Sequence, residues 1–170
     1  MDENRAQPWN QRPVIGVMGG ADVSPEEYTR AQELGRLIAE RGWILLTGGR
    51  DCGVMRAACE GAKSVLDSFT VGILPGRNRA DANPFVDLAI ATGLGDGRNV
   101  LNILNSDVVI ACAGGAGTLS EVALAVKNRR PLVLLGFAED TRLDRMLPGA
   151  FTRAATPEEA VKKVASFLGE

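Results

Sequence analysis

Two residues in this chain have the type and setting to do chemistry, Glu121 and Arg98, and each follows a run of glycines. Glu121 closes the stretch Asp107 to Glu121, DVVIACAGGAGTLSE. A lone carboxylate beside such a loop can direct a water molecule or stabilise a developing cation, and an arginine can hold an anion through paired N–H donors. Gly114, Gly115 and Gly117 let the backbone turn sharply and approach a ligand, because a Cβ would block either move. Thr118, with Glu121 three residues later, predicts an N-cap and capping box at a helix start. Backbone N–H groups gathered at such a start, with the helix dipole behind them, favour phosphate or another anion. In a plainer reading Glu121 only satisfies its own helix terminus, and at this point both readings stand.

Arg98 ends the run Thr92-Gly-Leu-Gly95-Asp-Gly97 and opens a helix predicted over Arg98 to Asn105. A cation in the first turn opposes the macrodipole at a cost of roughly 0.3–1 kcal/mol. A bound anion would remove that conflict; solvation, or pairing with Asp96, is the alternative.

The elements that must position these residues alternate between strand and helix. The stretch 1–12 is polar and reads as a flexible tail, with Trp9 the residue able to dock it; 13–170 reads as a single domain. Val14 to Met18 is an apolar strand ending in Gly19-Gly20. Ser24, Pro25 and Glu27 then mark a helix start by N-cap, N1 proline and capping box, and Gly42 closes the helix. Trp43 to Leu46 is a second strand, ending in Thr47-Gly48-Gly49, and Gly53 to Ser64 a small-residue helix. Strands are predicted over Phe69 to Leu74 and Pro131 to Gly136, with Val108 to Ala111 between them, a weaker one over Asp87 to Ala91, and an edge strand over Ala150 to Arg153. A short helix over Asp140 to Met146 and a terminal helix opened by Thr156-Pro-Glu-Glu159 complete the pattern. This is an α/β chain of Rossmann-like, doubly wound type, with a mostly parallel sheet of about seven strands and helices on both faces. In such sheets ligands sit beyond the carboxyl ends of the strands, where these glycine loops gather. Leu119 and Val122 to Val126 make a helix apolar nearly all round, which predicts a subunit interface and hence a homodimer or higher homo-oligomer.

Composition excludes several classes. The chain has 170 residues, no histidine, a formal net charge of -2 and 5% aromatics. Imidazole bases, Ser-His triads and His-ligated metals are therefore excluded, and neither a phosphate-backbone footprint nor base-stacking platforms are evident, so no nucleic-acid partner is expected. Cys52, Cys59 and Cys112 show no CxxC spacing, which suits a reducing cytoplasm. No apolar run approaches the roughly 18 residues of a membrane span, and no signal peptide is read before the first strand. The loop Gly16-Val-Met-Gly19-Gly20 does not make GxGxxG, and Thr47-Gly48-Gly49 stands where a ribose-binding acid is usual, so NAD is not expected. GxxxxGK[ST] is missing too, so this is not a P-loop NTPase. Lys63, Lys127, Lys162 and Lys163 fall away from the glycine loops, so neither a pyridoxal-phosphate Schiff base nor lysine decarboxylation is expected.

TGGRDCGVM from Thr47, TGLGDGRN from Thr92, and AGGAGTLSEVALAVK from Ala113 with the following PLVLLG carry a resemblance over roughly Pro13 to Gly136. The chain resembles the Rossmann-like family of "Lonely guy" cytokinin-activating phosphoribohydrolases, often mislabelled lysine decarboxylases. Within it the chain looks most like the branch of molybdenum cofactor carrier proteins. The resemblance implies a phosphate-bearing, nucleotide-like ligand held by Gly19, Gly20, Thr47, Gly48, Gly49, Arg50, Gly53, Val54 and Met55 on one side. Arg98, Asn99, Gly114, Gly115, Gly117, Thr118 and Glu121 would hold it on the other. In the carrier branch the ligand is the molybdenum cofactor and no covalent step is required. In the hydrolase branch, Glu121 and Arg98 would cleave the N-glycosidic bond of a nucleoside 5'-monophosphate, with no metal and no cofactor. Two positions depart from the hydrolase pattern: Ala113 replaces the proline of PGGxGTxxE, and Asn99 replaces a lysine.

Overall fold

The inner strands form because their residues are mostly β-branched or aliphatic in short runs, the pattern of strands covered on both faces. In a computed structural model that describes residues 7–138 and 141–170, the strands are β1 (Val14–Met18), β2 (Ile44–Thr47), β3 (Thr70–Leu74), β4 (Leu88–Ala91), β5 (Val108–Cys112), β6 (Leu132–Leu135) and β7 (Thr152–Ala154). They pair in the order β4-β3-β2-β1-β5-β6-β7, every pairing parallel. The helices are α1 (Pro25–Glu40), α2 (Gly53–Lys63), α3 (Asn99–Leu104), α4 (Ala116–Lys127), α5 (Thr141–Met146) and α6 (Pro157–Leu168). The Rossmann-like fold expected from the sequence is therefore present.

Alternation along the strands divides the core in two. Ile15 and Val17 of β1 and Val108 and Ile110 of β5 pack with α1, α2 and α6, while Met18, Val109 and Ala111 pack with Ile103 of α3 and Val122 and Ala125 of α4. Helices thus cover both faces. The strand order reverses between β1 and β5: β1 leads by α1 to β2 on one side, and β5 leads by α4 to β6 on the other. A crevice opens at such a switch point beyond the carboxyl ends of the strands.

The start of α1 is as expected. Ser24 Oγ accepts from the Glu27 amide, and the Glu27 carboxylate accepts from the Ser24 amide at 2.7 Å. Gly42, at φ 72°, ends the helix. At the other end of the chain Thr156 caps α6, and Glu159 reaches one residue further back, to the amide of Ala155.

Several boundaries differ from those expected. The segment predicted as one helix from Arg98 is a 3-10 turn over Gly95–Arg98 followed by α3. The last strand starts at Thr152, because the Ala150 amide still closes a turn onto Leu147 O and Gly149 holds φ 68°. Asp140, the expected start of α5, and residues 1–6 of the expected tail lie outside the described residues. Beyond them Trp9 lies 5.0 Å from Phe69, ring centre to ring centre, and the Arg12 guanidinium covers it at 3.8 Å. The outward side of α4 shows Leu119 half exposed and Ala123 exposed, so its apolar surface is not consumed within the chain.

Candidate functional site

Three loops meet at the crevice, after β1, β2 and β5, and glycines decide how closely. A Cβ on Gly53, at φ 51°, would run into the backbone of Gly20 and Ala21. That closeness lets the Val54 amide donate to Gly20 O at 3.0 Å. A Cβ on Gly48 would come within 2.5 Å of the Arg98 guanidinium. Gly115 and Gly117 differ from these: a Cβ on either would meet no protein atom within 4 Å, and both line the cavity. Packing inside the chain does not require glycine at either position, and the space beside them is open.

The helices that start at the crevice carry no side-chain cap. For α4 the N-cap is Gly115, and for α2 it is Cys52, whose side chain makes no capping bond. Helices α1 and α6, none of whose residues line the cavity, are capped by Ser24 and Thr156. The first amides of a helix have no intrahelical acceptor. At α4 these are Ala116, Gly117 and Thr118, with the positive end of the helix dipole behind them. This corrects the expected capping box. The helix begins two residues before Thr118, whose buried hydroxyl packs against Gly114, and the carboxylate of Glu121 turns away from its own terminus.

Glu121 instead faces α3. Its Oε1 accepts from Asn102 Nδ2 at 2.9 Å and lies 4.0 Å from Arg98 Nη1. Arg98 is only 7% exposed and Glu121 only 6%. Arg98 is thus neither solvated nor a first-turn residue; it precedes α3, and its side chain is turned inward. Burial pulls both members of the pair toward neutrality against their mutual attraction. It raises the Glu121 carboxyl above the ordinary range, with the Asn102 bond and the Arg98 charge opposing, and it lowers Arg98. A guanidinium stays charged in a protein all the same, so the shift with consequences is that of Glu121. Arg50, also on the cavity wall, adds a charge of the same sign that disfavours the Arg98 cation. An anion between the two arginines would relieve both effects. Arg98 Nε is buried without a hydrogen-bond partner.

The cavity measures about 240 Å³. Of the residues expected in the site, Gly19, Gly20, Gly48, Arg50, Met55, Arg98, Asn99, Gly115, Gly117, Thr118 and Glu121 line it. Thr47, Gly49, Gly53, Val54 and Gly114 stand behind that lining: Thr47 Oγ1 accepts from the Gly49 amide at 3.0 Å, and Val54 packs on Gly19. Asp96, at the rim, and the buried Asn102 and Asn83 were not anticipated. Asn83 Nδ2 donates to Gly49 O and Arg50 O, both at 3.3 Å, and so pins the second loop. Asn102 had a signal in the sequence, as the one polar residue among Val100, Leu101, Ile103 and Leu104, four after Arg98. Cys112 lies away from this lining, fully packed, and burial pushes its thiol up to about 12, the behaviour of a core residue.

The model of the SLOG cluster4 family matches residues 12–162. The chain belongs to that family. It is similar to the molybdenum cofactor binding protein of the phototrophic bacterium Rippkaea orientalis, at 45% identity and a TM-score of 0.87, over 93% of this chain and 98% of that one. It is similar also to the molybdenum cofactor carrier protein of Chlamydomonas reinhardtii, at 41% identity and a TM-score of 0.87, over 94% and 100% of the two chains. A cytokinin riboside 5'-monophosphate phosphoribohydrolase of Mycobacterium tuberculosis is 35% identical over 96 residues, 54% of this chain and 50% of that protein. The family and the carrier-like neighbours agree with the resemblance read from the motifs.

A carboxyl whose pKa is raised on folding stabilises the folded state below its unfolded pKa, and that contribution is lost as pH rises through the folded value. The ligand-free protein should therefore lose stability as pH rises from the ordinary glutamate range through the raised value of Glu121. Thermal melts across that window should show the slope in the parent chain and a flatter profile in Glu121→Gln.

Proposed function

We propose that this chain binds a phosphate-bearing, nucleotide-like ligand at the carboxyl ends of β1, β2 and β5, and that the ligand is the molybdenum cofactor, which the chain holds and carries. The observation that carries this reading is the start of α4, left without a side-chain cap, where Gly115 and Gly117 line the cavity and a Cβ on either would meet open space. An anionic group fits the residues present: the free amides of Ala116, Gly117 and Thr118 would receive a phosphate, and the Arg98 guanidinium, which lines the cavity, would supply a charge-assisted contact. The size suits the anionic end of a ligand, since about 240 Å³ falls below the roughly 300–1,000 Å³ of pockets that enclose whole ligands. The remainder would extend over the adjoining groove, about 540 Å³, between Val100 of α3 and Ala123 and Leu124 of α4. The solved neighbours named for binding and carrying molybdenum cofactor support this choice of ligand.

A second reading keeps the site and adds chemistry. Glu121 is a buried carboxyl with a raised pKa near a cation, the kind of group that serves as an acid or directs water. In a phosphoribohydrolase, water would add to the ribose carbon as the bond to the base breaks, giving free base and ribose 5-phosphate, with Glu121 stabilising the oxocarbenium-like centre. Asn99 weighs toward the carrier. Where the hydrolase pattern has a lysine, its amide accepts from Arg98 at 3.3 Å and donates to Ser120 at 3.1 Å, a neutral link in place of a second cation. Three free cysteines suit a reducing cytoplasm as the place of action.

The half-exposed Leu104 and Leu119 on α3 and α4 belong in a contact between two copies, and such a homodimer would roof the adjoining groove. Light scattering at micromolar concentration should give twice the chain mass; a monomer would exclude this assembly.

The ligand reading is tested by titrating purified protein with molybdenum cofactor and, separately, with AMP. Saturable cofactor binding without release of base from AMP is the expected result; base release that disappears in Glu121→Ala would establish the hydrolase instead. Gly117→Leu should weaken binding about tenfold or more while its melting temperature stays level or rises, because its side chain meets ligand space rather than protein and glycine is a poor helix former.

A further inference from the structure

We propose that Asn102 is a positioning residue that holds Glu121 off Arg98, and so keeps the Arg98 guanidinium available to a ligand anion. The inference rests on the reading that this cavity receives a phosphate-bearing ligand. Its starting point is a gap. Arg98 Nη1 and Glu121 Oε1 are 4.0 Å apart although both side chains are withdrawn from water. A charge-assisted N–H···O bond closes at about 2.7–2.9 Å. The attraction that would close it strengthens as the surroundings become less polar. An open pair in such a place needs a third group to hold it open.

Asn102 is that group. It is fully buried on α3, and its Nδ2 donates to the same Oε1 that faces Arg98, at 2.9 Å. Its backbone is itself tied down, since Ser106 Oγ donates to Asn102 O at 2.7 Å. The carbonyl Oδ1 of the side chain is buried without a partner, so the amide is committed to this single contact. On the other side of the gap, Arg98 makes one long bond, 3.3 Å to Asn99 Oδ1, and leaves Nε unmatched. A guanidinium has five N–H donors. Most of the Arg98 donors are thus not spent on Glu121, and Arg98 lines the same cavity as Gly115 and Gly117. Without the Asn102 amide, Oε1 loses its competing donor and the carboxylate is free to close on Arg98 as a paired fork. The cation would then be neutralised before any ligand arrives.

A residue that acts in this way does so through the carboxylate, so removing the carboxylate should cancel the effect of removing the residue. The experiment titrates AMP by calorimetry into the parent chain, Asn102→Leu, Glu121→Gln and the double variant; leucine fills the buried site. Asn102→Leu should bind AMP about tenfold more weakly than the parent, the scale of one charge-assisted contact. The double variant should bind within about threefold of Glu121→Gln alone, because the loss runs through one shared interaction. Unchanged affinity in Asn102→Leu overturns the proposal, and so does an equal loss when Asn102→Leu is added to Glu121→Gln, which would mark plain damage to packing. A parent chain that binds neither AMP nor molybdenum cofactor removes the ligand reading itself, and this inference with it; one that binds the cofactor alone takes the same four-way comparison with the cofactor as probe, with the same outcomes. Should Asn102→Leu fail to fold, Asn102→Ser carries the same comparison, its hydroxyl being too short to reach Oε1.

Discussion

Backbone amides without acceptors are costly to leave dry, and this fold gathers several at the start of α4. That start lacks the side-chain oxygen that caps α1 and α6, and Gly115, Gly117 and Thr118 line the crevice there; at the start of α2, likewise without a side-chain cap, the Val54 amide already donates to Gly20 O. Much else follows from that arrangement. Gly53 and Gly48 must lack side chains so that the loops and Arg98 can approach, while Gly115 and Gly117 lack them with nothing of the protein in the way. The parallel sheet puts all these loops at one end, and its reversal of strand order between β1 and β5 spreads them enough to leave a cavity.

The electrostatics of the cavity are balanced rather than strongly positive. Arg50 and Arg98 line it together with Asp96 and Glu121. In the proposed reading, attraction for an anion would come from oriented amides and from a guanidinium with unspent donors, not from net charge. Burial acts in the same direction, since it pushes Glu121 toward its neutral form and leaves the Arg98 charge less fully opposed. A site of this kind can hold a phosphate firmly without a second cation, and Asn99 stands where that cation would be.

Much of the fold was legible because most strands are short aliphatic runs followed closely by glycine, and because Ser24, Pro25 and Glu27 announce a helix start that the structure reproduces. Thr118 and Glu121 show the same local pattern and do not behave the same way. The difference lies in a partner 19 residues away: Asn102 draws Glu121 across to α3, and the helix starts early at Gly115. A capping box is a local signature, and spacing alone does not reveal a competing long-range donor. Arg98 stands out in the sequence for its charge at a helix start, yet its importance comes from burial, which spacing does not report. The roles of Asn83 and Asn102 likewise depend on which backbone or carboxylate the fold brings to them.

The most direct measurement is an amide-resolved NMR titration of the protein with AMP. The largest shifts should fall on the amides of Gly48, Ala116, Gly117 and Thr118, saturating together with one affinity. Shifts confined to other surfaces, or none at a ligand concentration that saturates binding, would contradict an anion site at the uncapped start of α4.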